Sequence, residues 1–217
     1  MTGFFTKAGD YLPILMDGVF LTLIVTFFSV ILSTVLGFVW AIMMWSRIPV
    51  LAGISRTFIT VIRGIPIIVQ LFYIYFVMPE VGLNLTAVQA GIIGLGIAYS
   101  AYQAENFRAG IEAIDRGQIE AAHSIGMTDS LVMRRVIMPQ AVRIVLPPFG
   151  NTIIMMLKDS SLVSTITVAE LTRQGQLIAA STFDNMTVFT LVAFIYLALS
   201  LPLTFLTRHL ERRYSQS

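Results

Sequence analysis

Five long apolar runs alternate with short polar connections along this chain, and the alternation predicts helices that cross a membrane. The first run, Gly18 to Trp45, is too long for a signal-peptide core and lacks a small-x-small cleavage site, so it reads as an uncleaved membrane helix. Met1 to Asp17 is mixed and is expected to lie along the membrane surface. After a connection from Ser46 to Arg56, the second run spans Thr57 to Met78. Arg63-Gly64-Ile65-Pro66 interrupts it near its start, and Pro66, which has no N–H to donate, predicts a kink. Pro79 to Thr86 is a turn. The third run, Ala87 to Phe107, carries Ala90, Gly94 and Ala98 at four-residue intervals, a stripe that permits close helix contact. The fourth, about Val142 to Val163, contains Pro147, Pro148, Gly150, Asn151, Lys158 and Asp159 and is expected to be irregular. Broken backbone at membrane depth survives only inside protein or beside a water-filled cavity, so this span belongs at the centre of the bundle. Thr165 to Asn185 is polar enough to be expected outside the core, Met186 to Leu206 is the fifth run, and Arg208 to Ser217 is a basic tail.

Composition narrows the class. Hydrophobic residues make up 56% of the 217 and charged residues 12%, too apolar for a soluble domain of this length. The spans leave no room for a large extramembrane domain, so residues 1–217 form a single all-α membrane domain. No G-x-x-x-x-G-K-[ST] sequence occurs, which places any ATPase on a separate chain. Without cysteine there is no disulfide and no thiolate metal site. The net charge of +2 and the lack of a basic tract give no support to nucleic-acid binding, and no inverted repeat points to a secondary transporter. The distribution of charge says more than its sum. With the amino terminus outside, the inner segments hold Arg47, Arg56, Arg108, Arg116, Arg134, Arg135, Arg143, Arg208, Arg212 and Arg213, and the outer ones only Lys7 and Arg173. The positive-inside rule then puts the carboxyl terminus in the cytoplasm.

One inner segment stands apart. Gln118 to Pro139 carries Glu120, His123, Asp129, Arg134 and Arg135 and cannot lie in lipid. Glu120-Ala121-Ala122 begins a helix-forming run, Gly126 permits a turn, and Asp129 to Arg135 can form a second short helix before Pro139. Two short helices meeting at a glycine make a compact knob. Small side chains at Ala121 and Ala122 let its backbone approach another protein, which points to docking rather than catalysis. His123 has only His209 as a fellow histidine and no ligand spacing, so it reads as a solvent-facing loop residue.

The pattern Glu120-Ala121-Ala122, three residues, Gly126, nine residues, Val136, Met138 and Pro139 resembles the EAA loop of ATP-binding-cassette importer permeases. That family more often has Ile and Leu where this chain has Val136 and Met138. The wider set, Ile62-Arg63-Gly64-Ile65-Pro66, Leu157-Lys158-Asp159-Ser160-Ser161-Leu162 and Leu210-Glu211-Arg212-Arg213, is similar to the polar amino-acid branch, the histidine, glutamine, arginine and cystine type. The resemblance covers most of the chain and implies a type I ABC importer permease fold of about five membrane helices, with residues 115–139 as a cytoplasmic coupling loop. It also implies a bacterial inner-membrane location, a cytoplasmic ATPase dimer that binds ATP and magnesium, a second permease, identical or homologous, and an extracytoplasmic binding protein. No cofactor is expected in this chain itself. Glu120 would anchor the loop, Ala121 and Ala122 give close approach, and Gly126 set the bend.

Charges inside a membrane bundle are costly and are functional candidates by default. Glu105 and Arg108 sit three residues apart on one helical face, and Lys158 with Asp159 lie in the fourth run. An amino acid carries a carboxylate and an ammonium, and these four residues supply groups of both signs. The bland reading is an ion pair anchoring a helix end for the first two and a rim or interhelical pair for the others. The resemblance implicates Ala101, Tyr102, Ala104 and Glu105, and Lys158, Asp159, Ser161 and Leu162, in the translocation pathway. The expectation is that Glu105 and Asp159 meet an ammonium or basic side chain and Lys158 or Arg108 the carboxylate, with Gln70 and Ser161 as weaker polar contacts. Tyr73, Tyr75, Tyr99 and Tyr102 can line a path, although aromatics near interfaces are ordinary. Met155 and Met156 read as packing. An intramembrane enzyme built on Glu105, Asp159 and His123 lacks nucleophile–base spacing. A proton-driven transporter would be told apart by its independence of ATP, and a related zwitterionic solute remains an alternative cargo.

Overall fold

The computed structural model describes residues 2–46 and 48–214, with the side chains of 2–5 and 214 left aside. Arg47 and the last three residues of the basic tail lie outside the described residues. Described residues form helices joined by short connections: α1 (Thr2–Trp45), α2 (Pro49–Gly64), α3 (Ile67–Phe72), α4 (Ala87–Glu112), α5 (Arg116–Ser124), α6 (Asp129–Val132), α7 (Met138–Asp159), α8 (Leu171–Thr182) and α9 (Asn185–Tyr214). Among the described residues, three helices are long and apolar enough to cross a membrane, Thr6–Trp45, Asp129–Ile166 and Asn185–Arg213. A fourth span results if the bent pair Pro49–Gly64 and Ile67–Val81 is counted as one. The remaining long helix, α4, is the most enclosed of all, with Ala90, Leu95, Ala98, Tyr99, Ala101 and Ala104 at 1% exposure or less. A helix wrapped by protein needs no continuous apolar surface, which is why its composition falls short of a lipid-facing span.

The bundle closes around α4. Helix α1 packs along most of its length, α2 and α3 cross its two halves, and α7 covers another face. Apolar burial in lipid is driven by van der Waals fit, and the small-residue stripe supplies it. A Cβ at Gly94 would stand 2.6 Å from Leu71 of α3, so the helices meet there only because the side chain is missing. The start of α4 is fixed by a reciprocal capping box between Thr86 and Gln89, and the helix runs past Phe107 to Glu112.

Three expectations are corrected. The amino-terminal stretch is not a separate surface segment, because α1 continues through Pro13 into the first span. Proline removes one donor and leaves the surrounding turns intact. Forty residues at 1.5 Å each make a rod of about 60 Å, twice the hydrocarbon thickness, so the first turns stand clear of the membrane. The second span begins at Pro49, where proline suits the first turn, rather than at Thr57, and its break is a bend of 101°. The fourth span is helical through Pro147 and Pro148, and the irregularity falls beyond Asp159 as a 3₁₀ turn, Ser160–Ile166. Thr152 Oγ1 returns a hydrogen bond to the Pro148 carbonyl at 2.9 Å within the helix.

Thr165 to Asn185 lies almost wholly between the candidate spans, as its polarity suggests, but it is not a loose connection. This stretch folds back onto the bundle: Leu171, Ile178 and Ala179 of α8 join Leu15 and Val19 of α1 and Val188 and Val192 of α9 in one apolar cluster. At its start lies Glu170, with no exposed surface. Its carboxylate caps α8 by accepting from the Arg173 N–H at 2.9 Å, and takes further hydrogen bonds from Tyr196 (2.7 Å) and Thr22 (3.4 Å). Burial pushes this carboxyl above its ordinary range, against the pull of the donors around it. Where the same connection meets the solvent, Lys7 and Asp184 pair at 2.9 Å, and the Lys7 hydrogen bond holds the Asp184 carboxyl below its usual range.

Candidate functional site: a docking knob and a charged face of α4

The polar stretch forms the knob its spacing predicts. Helix α5 ends in a paired cap, with the Gly126 N–H donating to the His123 carbonyl at 2.9 Å and the Met127 N–H to the Ala122 carbonyl at 3.1 Å. Gly126 has φ +84°, the left-handed region that a side chain resists, and open space where a Cβ would be. The two alanines divide their labour. Ala122 is 6% exposed and packs inside the knob with Ile114, Val132, Ile137 and Ala141, whereas Ala121 and Glu120 face outward. Beside them Ile125 is 79% exposed at the apex. The sequence reading passed over Ile125, yet an isoleucine next to a glycine turn in an otherwise polar loop was a signal for an exposed apolar contact. His123 is exposed, with Nδ1 3.1 Å from the Met127 carbonyl and Nε2 3.6 Å from Asp129. No group of three or more metal-ligating side chains occurs among the described residues.

The second short helix does not stop before Pro139. Through a π turn at Met133–Ile137 it runs directly into α7, and Pro139 sits in the first turn of that helix, where its missing N–H costs little. Gln140 Nε2 donates to Gln118 Oε1 at 2.6 Å and ties α5 to the same rod.

The second feature is a column of polar groups along α4. Tyr99, Tyr102 and Glu105 recur every three residues and so lie on one face. Tyr99 is 1% exposed and donates its hydroxyl to Asp159 at 2.6 Å. The Tyr99 and Tyr102 rings stand 5.7 Å apart, and the Arg63 guanidinium lies over the Tyr102 ring, 5.3 Å from its centre. Glu105 Oε2 accepts from Arg108 Nη2 at 2.7 Å and Nε at 2.9 Å, and Arg108 also grips Glu112. A cleft of about 460 Å³ opens on this face, lined by Arg56, Ile59, Thr60, Arg63, Tyr102 and Glu105. A larger hollow of about 760 Å³ lies beneath the knob, between Trp45, Glu112 and Asp129, away from the column.

The predicted residues are therefore only partly brought together. Glu105 and Arg108 form the ion pair that is the bland reading of their spacing. Asp159 belongs to the level of Tyr99, six residues and about 9 Å of rise away along α4, so one α-carboxylate and its neighbouring ammonium cannot bridge both clusters. Lys158 is exposed and has no partner among the described residues, and Ser161 is half-buried at the start of the 3₁₀ turn. Gln70 is 8% exposed and serves the bend: its amide nitrogen donates to the Ile62 and Ile65 carbonyls, each at 2.8 Å, and its Oε1 has no partner. Arg63, named in the sequence only as part of the break before Pro66, is a cation the structure adds to this face.

A membrane bundle with a charged, accessible seam and a docking knob on one end defines the membrane subunit of a transport machine. The chain belongs to the binding-protein-dependent transport system inner membrane component family, whose pattern covers residues 33–216. It is similar to the probable glutamine ABC transporter permease GlnM of Bacillus subtilis (strain 168), with 37% identity over 96% of each chain. It is 36% identical to the L-cystine transport system permease TcyB of the same organism, over 94% of this chain and 88% of that one. In three dimensions it matches a chain of an amino acid ABC transporter crystallised with histidines, with a TM-score of 0.92, 41% identity and coverage of 96% and 98%. Inward-facing methionine transporter MetNI shares the fold at 24% identity and a TM-score of 0.76, over 94% and 97% of the two chains. The all-α type I importer permease fold expected from the motifs is thus the fold observed. As a family member the chain is a transporter component, served by a separate ATPase subunit and a binding protein, and not an enzyme.

Proposed function

We propose that the chain is the permease of an importer for polar amino acids and that its cargo passes along the α4 face. One observation carries this reading: inside a membrane bundle Glu105 lines an open cleft with Arg63 and Tyr102, and Asp159 meets the same helix at Tyr99, about two turns away. Glu105 and Asp159 meet the substrate's ammonium or a basic side chain, and Lys158 and Arg108 are the cations at the two levels. Ser161 and Gln70 are the weaker polar contacts, Gln70 with its Oε1 enclosed beside the bend. The names of the similar proteins, for glutamine, cystine and amino acids with histidines, support a zwitterionic cargo. A related zwitterionic solute is the alternative.

The remaining assignments follow from the same reading. Two permeases, this chain with a copy of itself or a homologue, span a bacterial inner membrane with the amino terminus outside and the knob in the cytoplasm, and α4 counts as the fifth crossing. A cytoplasmic ATPase dimer binds ATP and magnesium and receives the knob through Glu120, Ala121 and Ile125, with Ala122 and Gly126 giving it shape. Clamping of the ATPases on ATP moves the knob and switches the seam between outer and inner access. An extracytoplasmic binding protein delivers the solute. The test is ATP hydrolysis by the reconstituted complex, with binding protein alone or with glutamine, histidine, arginine or cystine. Stimulation by a subset supports the reading and names the cargo class. An assembled, ATP-competent complex that none of them stimulates refutes the amino-acid assignment.

A further inference from the structure

Among the described residues, Arg63 is a cation on the α4 face that combines a contact fixing its position with unused donors. Arg108 is already held by Glu105 and Glu112. Arg63 has no carboxylate partner among the described residues, and its contact with the Tyr102 ring consumes none of its N–H groups. A planar guanidinium with free donors matches a carboxylate in bidentate fashion, and the cleft beside it is large enough for a small solute. Its level on α4 is that of Tyr102, about one turn from Tyr99 with Asp159 on one side and about one turn from Glu105 on the other. A cation flanked at that spacing by two anions is the arrangement that an α-amino acid's own two charges complement.

The position of Arg63 is not left to its flexible stem. It precedes the 101° break, where the helix loses its hydrogen-bond ladder at Gly64, Ile65 and Pro66. The Gln70 amide bridges that break by donating to the carbonyls of Ile62 and Ile65, the residues on either side of the Arg63-Gly64 pair. The backbone that carries the guanidinium is thereby clamped from the following helix.

We propose that Arg63, in place of Lys158 or Arg108, binds the substrate's carboxylate and so makes a free carboxyl group a requirement for transport, with Gln70 as the positioning residue that aims it. The proposal rests on the α4 face being the translocation path. Its test uses the complete complex of permease and ATPase in detergent, without binding protein, and compares binding of glutamine, histidine, arginine and cystine with binding of their α-carboxamides. The wild-type complex should prefer the acid of its stimulating substrate over the carboxamide by tenfold or more. R63Q should weaken acid binding at least tenfold and leave carboxamide binding unchanged, R63K should recover part of the preference, and Q70L should lower it with Arg63 intact. An assembled R63Q complex that keeps the wild-type preference, or that weakens acid and carboxamide equally, overturns the proposal. A wild-type complex that binds the two alike overturns it with no variant needed. Failure of the transport reading looks different, since no amino acid then stimulates ATP hydrolysis in the first place.

Discussion

Two glutamates in this molecule face opposite demands. Glu170 is sealed inside the bundle and accepts from Tyr196, Thr22 and the Arg173 N–H. Glu105 lies on an open cleft and shares its charge with one arginine. A buried carboxylate that is fully supplied with donors has nothing left to offer a ligand, and its neighbours would be stranded without it. A half-exposed carboxylate held by one arginine keeps an accessible oxygen and can exchange that partner for another. Burial with satisfaction marks scaffold, and access with an exchangeable partner marks function.

The sharpest way to break this contrast is to remove each acid in turn. E170L should be the most damaging change. It leaves the Arg173 N–H without its acceptor and the Tyr196 hydroxyl with Thr172 as its remaining partner, in a buried setting, for a loss of about 3 kcal/mol. Thermal unfolding of the purified complex should show it, while E170Q, which keeps an acceptor, should be much milder. If E170L assembles and unfolds like wild type, Glu170 is not scaffold. E105Q and D159N should do the reverse, lowering amino-acid transport roughly tenfold, or about 1.4 kcal/mol, with the unfolding temperature held. Uptake into proteoliposomes measures this, and unchanged uptake in both variants would remove the seam from the pathway.

G126V tests the knob at smaller energetic cost. Strain at φ +84° is about 1–2 kcal/mol, and since nothing crowds the position, assembly should survive. ATP turned over per amino acid imported should rise. A normal ratio would mean that the bend is dispensable for coupling.

Smallest of all is the pH response. Glu170 is raised by burial, so its share of stability is present below its unfolded pKa and is lost as pH rises through the folded value. Asp184 is lowered by Lys7, so its share is present above its unfolded pKa and is lost as pH falls through the folded value. Unfolding temperatures should therefore drop for wild type relative to E170Q as pH rises above the ordinary carboxylate range, and relative to D184N as pH falls below it. Parallel profiles would contradict both assignments.

Much of this was readable from residue order alone. The Ala90, Gly94 and Ala98 stripe is packed where the spacing placed it, Pro66 breaks its span, and Gly126 turns the knob. These are local instructions, written in missing side chains and a missing N–H. Glu170 was not legible, because its three partners lie on α1, α8 and α9 and no local pattern announces their meeting. Pro147 and Pro148 misled for the converse reason: a local signal for disruption was absorbed by a helix that neighbours hold in place. The split between Glu105 and Asp159 was equally hidden, since closeness to the same helix does not fix the level along it. Gln70 reads in sequence as a polar side chain in a span, and only the bend shows what its amide is for.

The uninterrupted course of the chain from the knob into α7 has a mechanical meaning. Asp129 to Asp159 is a single shaft of about 45 Å, with the π turn at Met133–Ile137 as its only irregularity before the far end. Rocking that shaft by about 5° about its knob end sweeps the other end by about 4 Å, by simple leverage on that length. The Tyr99 to Asp159 hydrogen bond, 2.6 Å long, cannot stretch so far. The stroke of an ATPase pressing on Ile125 would unfasten it, and a carboxylate occupied by tyrosine in one stroke would face the cargo in the next.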